Sequence, residues 1–521
     1  MNTVLWFKRD LRLHDHAALT QAMANGDSVL PVYIFDHDWW CAEDASWRQL
    51  GFVLESLADL DRALRKIGSR LYLLAGEPLQ CLQALHQEFP FQALYSHQET
   101  GNAISFARDT RIQHWCNSQQ IQWHQPRAFA VYRGPLNRDH WDSLWQQHMQ
   151  QPVLPAPLKL KMPQSAPSPM LWSECQQLLA TWPVHGHDIV ERQRGGRQNA
   201  LLVWQQFLHV RGINYRQSLS SPLRAALGNS RLSAYLTWGC LSLREVVHEL
   251  QQHKLTLAKT PNNPWHAELN AFKSRLHWHC HFIQKFETEP EIEFHNMNRG
   301  FDQMRNEAEL SPQEAQTLSA WSEGKTGYPL IDACMQMLIQ TGWINFRMRA
   351  MLISFATQHL WLHWRQPGLH LARLFVDYEP GIHFSQLQMQ AGVTGINALR
   401  VYNPVKQQRD QDPDGVFVRR WLPALRNVPT AFLCEPWRMP LSVQARVGCV
   451  IGQDYPAPIV AHEDAARSAK AKLHAWRQQP HTRQLAKQVM QQHGSRKKMS
   501  RRVKTAKTVN INRDQLSLDF L

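Results

Sequence analysis

Four groups of residues in this chain have types and spacing suited to chemistry. Asn229-Ser230-Arg231-Leu232-Ser233 precedes a helical stretch that starts near Ala234. Hydroxyl and amide side chains at a helix start cap free N–H groups and also donate to phosphate oxygens. An isolated Ser-x-x-Ser is far more often a plain cap. Arg347, Arg349, Asp377 and Glu379 are charges flanked by apolar helices. Charges in such surroundings pair, either as a structural salt bridge or as a pair that holds the polar edge of a ring ligand. His277-Trp278-His279-Cys280-His281 has the residue types of a metal site. On a helix His277 and His281 share a face while His279 and Cys280 point elsewhere, and no acidic or cysteine partner completes the set. No metal centre is expected there; Trp278 and the histidines suit a pocket wall or a nucleic-acid surface. Trp321-Ser-Glu-Gly-Lys-Thr-Gly-Tyr-Pro-Leu-Ile-Asp332 lacks the spacing of a phosphate-binding loop and reads as a tight turn into a helix.

The elements that must position these groups follow from periodicity. Apolar runs at 4–7, 28–35, 70–74, 93–96 and 121–123 alternate with helical patterns such as 47–67 and 78–88. That order predicts a parallel sheet with helices on both faces and a ligand at the carboxyl ends of its strands. Pro152, Pro155, Pro157, Pro163, Pro167 and Pro169 give the 150–170 stretch linker chemistry. From about 196 to 475 the pattern is helical, with helices predicted at 200–210, 241–253, 266–286, 331–341 and 348–364. From 480 onward the chain is polar and basic, with Arg496, Lys497, Lys498, Arg501, Arg502, Lys504 and Lys507, and is expected to lack a fixed fold until bound. The expected organisation is an α/β domain over 1–133, a linker over 134–195, a helical domain over 196–480 and a tail over 481–521.

Composition bounds the function. A length of 521 residues implies two or three domains. With 43% hydrophobic and 19% charged residues the chain is not globally disordered. No apolar run is long enough to cross a membrane, and the first residues lack a signal-peptide pattern, so a cytoplasmic protein is expected. Nine cysteines without a Cys-x-x-Cys pair argue against a disulfide framework or zinc ribbon. The net charge of +14 favours a polyanionic partner, although a merely basic surface has the same count.

Several motifs, taken in order, resemble the photolyase/cryptochrome family over nearly the whole chain. Leu5-Trp6-Phe7-Lys8-Arg9-Asp10-Leu11-Arg12-Leu13-His14-Asp15-His16 is similar to its opening strand and loop. Asn229 to Ser233 is similar to its flavin-phosphate loop, and the segments 321–329 and 341–349 to its flavin-domain helices. Asn403-Pro404, Asp412-Pro413-Asp414-Gly415 and Arg419-Arg420-Trp421-Leu422-Pro423 match its C-terminal signature.

The resemblance implies an α/β N-terminal domain with a Rossmann-like parallel sheet, plus a large all-α domain that holds FAD. It implies that Tyr215, Asn229, Ser230, Arg231, Leu232 and Ser233 hold the flavin phosphates. It sets Arg349, Asp377, Tyr378 and Glu379 at the isoalloxazine ring. Arg275, His277, Trp278, His279, Phe346, Arg347 and Gln407 would face DNA. Trp278 would stack on an extruded lesion, with Arg275 beside it and Trp364 relaying electrons. The implied activity is blue-light-driven repair of ultraviolet pyrimidine photoproducts, a carbon–carbon lyase reaction of the deoxyribodipyrimidine photolyase type. A cryptochrome-like photoreceptor without repair is the alternative. The implied partner is DNA carrying ultraviolet lesions, with no membrane, and the chain is expected to be a monomer. A second antenna chromophore of open identity is also implied. The tail Gln515-Leu516-Ser517-Leu518-Asp519-Phe520-Leu521 resembles short peptides that dock on bacterial sliding clamps; the plainer alternative is an apolar end folded back onto the core.

Three segments depart from the family. Its Glu-Leu-x-Trp helix motif, whose Glu hydrogen-bonds the lesion, reads Arg275-Leu276-His277-Trp278, with Glu268 two turns earlier on roughly the same face. An Arg here can contact phosphate or stabilise negative charge. Its flavin-proximal Asn-Asn-x-x-Trp-x-Trp reads His383-Phe384-Ser385-Gln386-Leu387-Gln388-Met389, so the Asn facing flavin N5 and the proximal relay Trp are absent. Trp364 matches the middle relay position, and Trp361, Trp343 and Trp238 are the other candidates. The Glu often found at its folate-antenna site is Ser105, and the segment 388–397 marks a distinct branch.

Overall fold

The five apolar runs near the N-terminus pair into one parallel sheet. In the computed structural model, which describes residues 2–494 except 27, 135, 259–262 and 308, the strands are β1 (Asn2–Phe7), β2 (Ser28–Asp36), β3 (Tyr72–Gly76), β4 (Ala93–Tyr95) and β5 (Gln122–His124). The basic residues from Arg496 onward and the Gln515–Leu521 segment lie outside the described residues. The strand order is β3-β2-β1-β4-β5, and Val4 of β1 sits between Leu30 of β2 and Leu94 of β4. Strands buried on both faces carry near-continuous apolar sequence, which is why β1 and β2 read so clearly.

The strand order reverses beside β1, where an α/β sheet of this kind opens a crevice at its carboxyl ends. Here the crevice is largely filled. Lys8 Nζ donates to Asp109 at 2.9 Å, and Arg108 bridges Asp36, Glu99 and Asp109 at 3.2, 2.5 and 2.8 Å. Trp39, Trp40 and Trp238 pack over this network. The spaces left are about 30 and 20 Å3. Beside them Asp10 bonds His97 at 2.6 Å, tying the β1 loop to the end of β4, and lies 3.1 Å from His16 Nε2.

Beyond the five strands, the regular elements of the described residues are helices, and two isolated bridges join Gln98 to Arg127 and Ile451 to Tyr455. One apolar cluster joins the sheet to helices as far as Ile283 and to Val376, and a second is built from Phe286, Trp321, Trp343, Trp364, Phe384 and their neighbours. Residues 152–170 contain no helix or strand. Within the expected linker, however, Trp141–Gln150 and Trp172–Ala180 are helices. Trp141, Trp145 and Met149 recur at four-residue spacing and bury one stripe, which a reading weighted to the prolines overlooks.

Two helical expectations need correction. The 348–364 pattern is not one helix: Phe346–Ser354 is α-helical, Phe355–His359 is a π turn, and Trp361 then takes a left-handed conformation with φ of 58°. Arg305 and Lys472 each lie 4.5 Å from the Trp361 ring and hold it there. The chain after 480 does not lose its fold at once either, because Pro480–His493 is a helix with Thr482, Val489 and His493 buried. Thr482 donates to the Gly300 carbonyl at 3.0 Å and His493 pairs with Glu289 at 2.5 Å, which anchors it.

Candidate cofactor site

A cavity of about 250 Å3 opens among the helices of the second half of the chain. The short helix Ser233–Thr237 supplies Ser233 and Thr237, one turn apart. The long helix Trp265–Thr288 supplies His279. The helix Pro380–Ala391 supplies Ile382, His383, Gln386, Leu387 and Gln390, the three- and four-residue spacing of one helical face. Helix Pro329–Thr341 ends in left-handed Gly342, which turns Trp343, Ile344 and Asn345 into the wall.

Two ion pairs frame the cavity. Arg349 donates to Asp377 at 2.8 Å and to the Ile344 carbonyl at 2.8 Å, with its guanidinium 4.0 Å from the Phe375 ring. Arg9, from the loop after β1, reaches across to Glu379. Burial pushes the Glu379 carboxyl up, and Arg9 pulls it back down. Tyr378, between the two acids, donates to Asp44 at 2.5 Å.

These contacts leave acceptors over. Asp377 Oδ1, Glu379 Oε1, Asn229 Oδ1, Asn345 Oδ1 and Gln386 Oε1 are buried without a protein partner, and all five residues line the cavity. Each such atom costs roughly 1–3 kcal/mol unless a donor meets it. Asn345 cannot turn to relieve this, because its Nδ2 donates to the Leu219 carbonyl at 2.9 Å. The cavity therefore calls for a ligand with a flat apolar body and many N–H and O–H donors. FAD has both: a three-ring body with an imide N–H, ribityl hydroxyls and an adenine amino group. The residues present fit it, with Asp377, Glu379, Asn345 and Gln386 as acceptors and the Ser233 hydroxyl as a donor.

The residues singled out from sequence are divided by the fold. Asn229, Ser233, Arg349, Asp377, Tyr378 and Glu379 line the cavity; Tyr215, Ser230, Arg231 and Leu232 do not. Leu232 belongs to the core. Arg231 takes a positive φ of 62° and stacks 3.9 Å from the ring of Trp343, so it braces the wall from behind. Ser230 accepts from the Leu232 amide as a local turn at 3.5 Å. Tyr215 packs edge-on against Phe207 and Phe272.

On the same helix as His279, Trp278 is partly exposed and Arg275 covers it, with the guanidinium 4.3 Å from the ring centroid. Burial pushes neighbouring His279 down to about 4, so it is neutral at pH 7. Phe346 lines the cavity and is exposed. Arg347 turns into an adjoining polar groove of about 280 Å3 with Arg224 and Asp410, and approaches Gln407 at 3.5 Å. His277 faces the other way, bonding Asp142 at 2.8 Å between Trp141 and Trp145. Trp364 is fully buried, donates to Asn296 at 2.8 Å and stands behind Phe384. Of Trp238, Trp343, Trp361 and Trp364, only Trp343 lines the cavity.

Sequence reasoning missed Thr237, Asn345, Gln386, Gln390 and Arg9. Helical spacing from Ser233 and His383 was a usable signal for three of them. Arg9 lies 370 positions from Glu379, and nothing local signals that pairing.

The family described as "DNA photolyase" matches residues 3–133, and "FAD binding domain of DNA photolyase" matches residues 272–475. A protein named cryptochrome DASH from Gloeobacter violaceus is 29% identical over 488 residues, covering 90% of this chain and 94% of that one. A bacterial class III photolyase from Agrobacterium tumefaciens has a similar structure, with a TM-score of 0.79 and 25% identity over 92% of this chain and 98% of that one. An archaeal photolyase from Sulfolobus tokodaii with two FAD molecules superposes with a TM-score of 0.73 and 26% identity, over 91% of this chain and 100% of that one.

Proposed function

This chain belongs to the photolyase/cryptochrome family and binds FAD, and we propose that within the family it is a light-driven lyase that repairs ultraviolet pyrimidine photoproducts in DNA. The observation that carries this reading is the helix Trp265–Thr288. Trp278 is a partly exposed aromatic platform on the same helix that supplies His279 to the cavity wall, and we read it as the surface on which an extruded base stacks. Phe346 lines the cavity from a second helix, and Arg347 beside it faces the polar groove. The net charge of +14 supplies attraction to phosphate. When bound and reduced, FAD supplies the light-driven electron that splits the lesion. The protein's part is to hold the two against each other: Asp377, Glu379 and Arg349 orient the ring, and Trp278 with Arg275 receives the lesion.

The test is repair of oligonucleotides carrying a cyclobutane dimer or a (6-4) product, under blue light with reduced flavin. Light-dependent restoration of either supports the lyase and names its substrate; restoration of neither by a protein with full FAD content rejects it.

One observation favours the photoreceptor alternative. Arg275 stands where the family's lesion-contacting Glu is expected and already stacks on Trp278. In that case light alters binding of a protein partner and no lesion is repaired. The Gln515–Leu521 peptide offers such a partner site: docking on a bacterial sliding clamp predicts that its deletion abolishes clamp binding and leaves FAD content unchanged.

A further inference from the structure

Outside the cofactor cavity, four basic side chains converge where three elements meet. His281 and Lys285 lie one turn apart on the helix Trp265–Thr288. Arg138 comes from the single turn Arg138–His140, and His493 ends the helix Pro480–His493, which packs against that turn. Arg138 donates to His281 Nδ1, so the His281 proton sits on Nε2, which is left as a donor. The Arg138 guanidinium also lies 4.5 Å from the centroid of the Trp141 ring, which steadies its plane. Lys285 Nζ stands 5.2 Å from the Phe282 ring. Lys285 is 5% exposed and His493 is 1% exposed.

The charges in this group do not balance. Glu289 meets His493 Nε2 at 2.5 Å. The neighbouring acids are engaged elsewhere, Asp142 with His277 and Glu287 with Arg133, and Asp139 is exposed. Lys285 has no hydrogen bond and no ion pair among the described residues. Burial and the Arg138 charge push its ammonium down to about 7. Burial pushes His281 well down, aided by Lys285 and Arg138, and pushes His493 down against the pull of Glu289. Each base is kept from a proton by burial and by its cationic neighbours. His493 Nδ1 is buried without a partner and becomes a donor on protonation.

A compact dianion removes this conflict. It pairs with Arg138 and Lys285, accepts from His281 Nε2 and favours the protonated form of His493. A metal cation is repelled by the same charges. A phosphodiester carries one charge and a sugar on either side. A terminal phosphate carries between about −1.5 and −2 at pH 7 and enters end-on, which suits the burial of Lys285 and His493.

We propose that Arg138, His281, Lys285 and His493 form a binding site for a terminal phosphate group, that of inorganic phosphate or of a phosphomonoester such as a nucleotide or a DNA 5′ end. The site is separate from the FAD cavity and does not depend on that reading.

The experiment is calorimetric titration of the purified full-length protein at pH 7 with inorganic phosphate, with thymidine 5′-monophosphate, and with one oligonucleotide with and without a 5′-phosphate. Saturable binding is expected, weakened about tenfold in Lys285→Met. That variant keeps the basic tail, so phosphate held by the tail does not respond to it. Preference for the 5′-phosphorylated oligonucleotide names DNA ends as the source; binding of phosphate or nucleotide without that preference names the free ligand. No saturable binding of any ligand, or equal binding by wild type and Lys285→Met, overturns the proposal. If Lys285→Met does not fold, acetylation of the wild-type protein decides, read at Lys285 by peptide mass spectrometry in phosphate against chloride of equal ionic strength. Severalfold slower acetylation in phosphate supports the site, and an unchanged rate refutes it.

Discussion

At the scale of single residues, the ion pair Arg349–Asp377 and the stacked pair Arg275–Trp278 divide the work of holding a cofactor and meeting a substrate. Asp377 lies against Arg349 on one oxygen and offers the other to the cavity. Asp377→Ala leaves Arg349 without its counter-charge and removes a cavity acceptor. We expect at least tenfold weaker FAD binding, read as loss of the 450 nm flavin band on gel filtration, with binding restored in part by Asp377→Glu. Arg275 covers a ring that the proposed lesion must reach. Arg275→Glu is expected to uncover Trp278 and raise cyclobutane-dimer repair if the family's Glu is what this chain lacks; equal or lower repair would show that Arg275 itself belongs to substrate binding. Arg349 and Asp377 were visible in sequence because charges in apolar surroundings demand partners, and Arg275 because it departs from the family's Glu-Leu-x-Trp motif. What each pairs with was not visible: Arg275 turns to Trp278, and Glu379 finds Arg9 from the far end of the chain.

Elements decide which of these residues reach the cavity. The helix Pro380–Ala391 presents Ile382, His383, Gln386, Leu387 and Gln390 because they share a face, and its start at Pro380 sets that face. The lip Trp343–Asn345 depends on Gly342, whose φ is 68° and whose Cβ, if present, would lie 2.6 Å from Val376 Cγ2. A side chain in the left-handed region costs about 1–2 kcal/mol before any crowding. Gly342→Ala is therefore expected to lower the melting temperature and reduce FAD retention together; an unchanged protein would mean that the lip tolerates the shift. The five-residue motif Asn229 to Ser233 shows how far local reading goes. Its two ends, Asn229 and Ser233, line the cavity, while Ser230, Arg231 and Leu232 face cap, brace and core. A helix start can be recognised in sequence, but which of its side chains faces a ligand depends on the neighbouring helix.

For the whole molecule, burial and charge carry the testable consequences. His97, His148, His279, His359, His363, His370 and His383 are each pushed by burial to about 4. An unfolded histidine titrates near 6.5, so between about 6.5 and 4 the unfolded chain binds protons that the folded one refuses. Stability is present in full above the unfolded value and is lost as pH falls toward 4. Thermal melts are expected to drop steeply over that window, and a flat profile would mean that these rings protonate in place. The positive charge predicts DNA affinity that falls linearly on a log–log plot against salt. For roughly six phosphate contacts, this is about a thousandfold between 50 and 200 mM. The filled crevice at the sheet ends, with about 30 and 20 Å3 left, predicts one flavin per chain by absorbance against protein. Two would require Trp39, Trp40 and the Arg108 network to move.

Sequence alone determined the parallel sheet, the helical second half, and the residue types of the cofactor site. These rest on short-range physics: strand and helix periods, cap chemistry, and the need of charges among apolar neighbours to pair. It also placed proline linker chemistry at 150–170, of which 152–170 contains no helix or strand. Tertiary structure decided the rest. The break after Ser354 depends on Arg305 and Lys472 gripping Trp361, and the folding of 480–493 depends on Gly300 and Glu289. The unpartnered acceptors of the cavity depend on contacts such as those of Asn345 with Leu219 and of Glu379 with Arg9. All of these are contacts between residues that no local pattern links. Their hydrogen bonds exist only once the two apolar clusters have packed and closed water out.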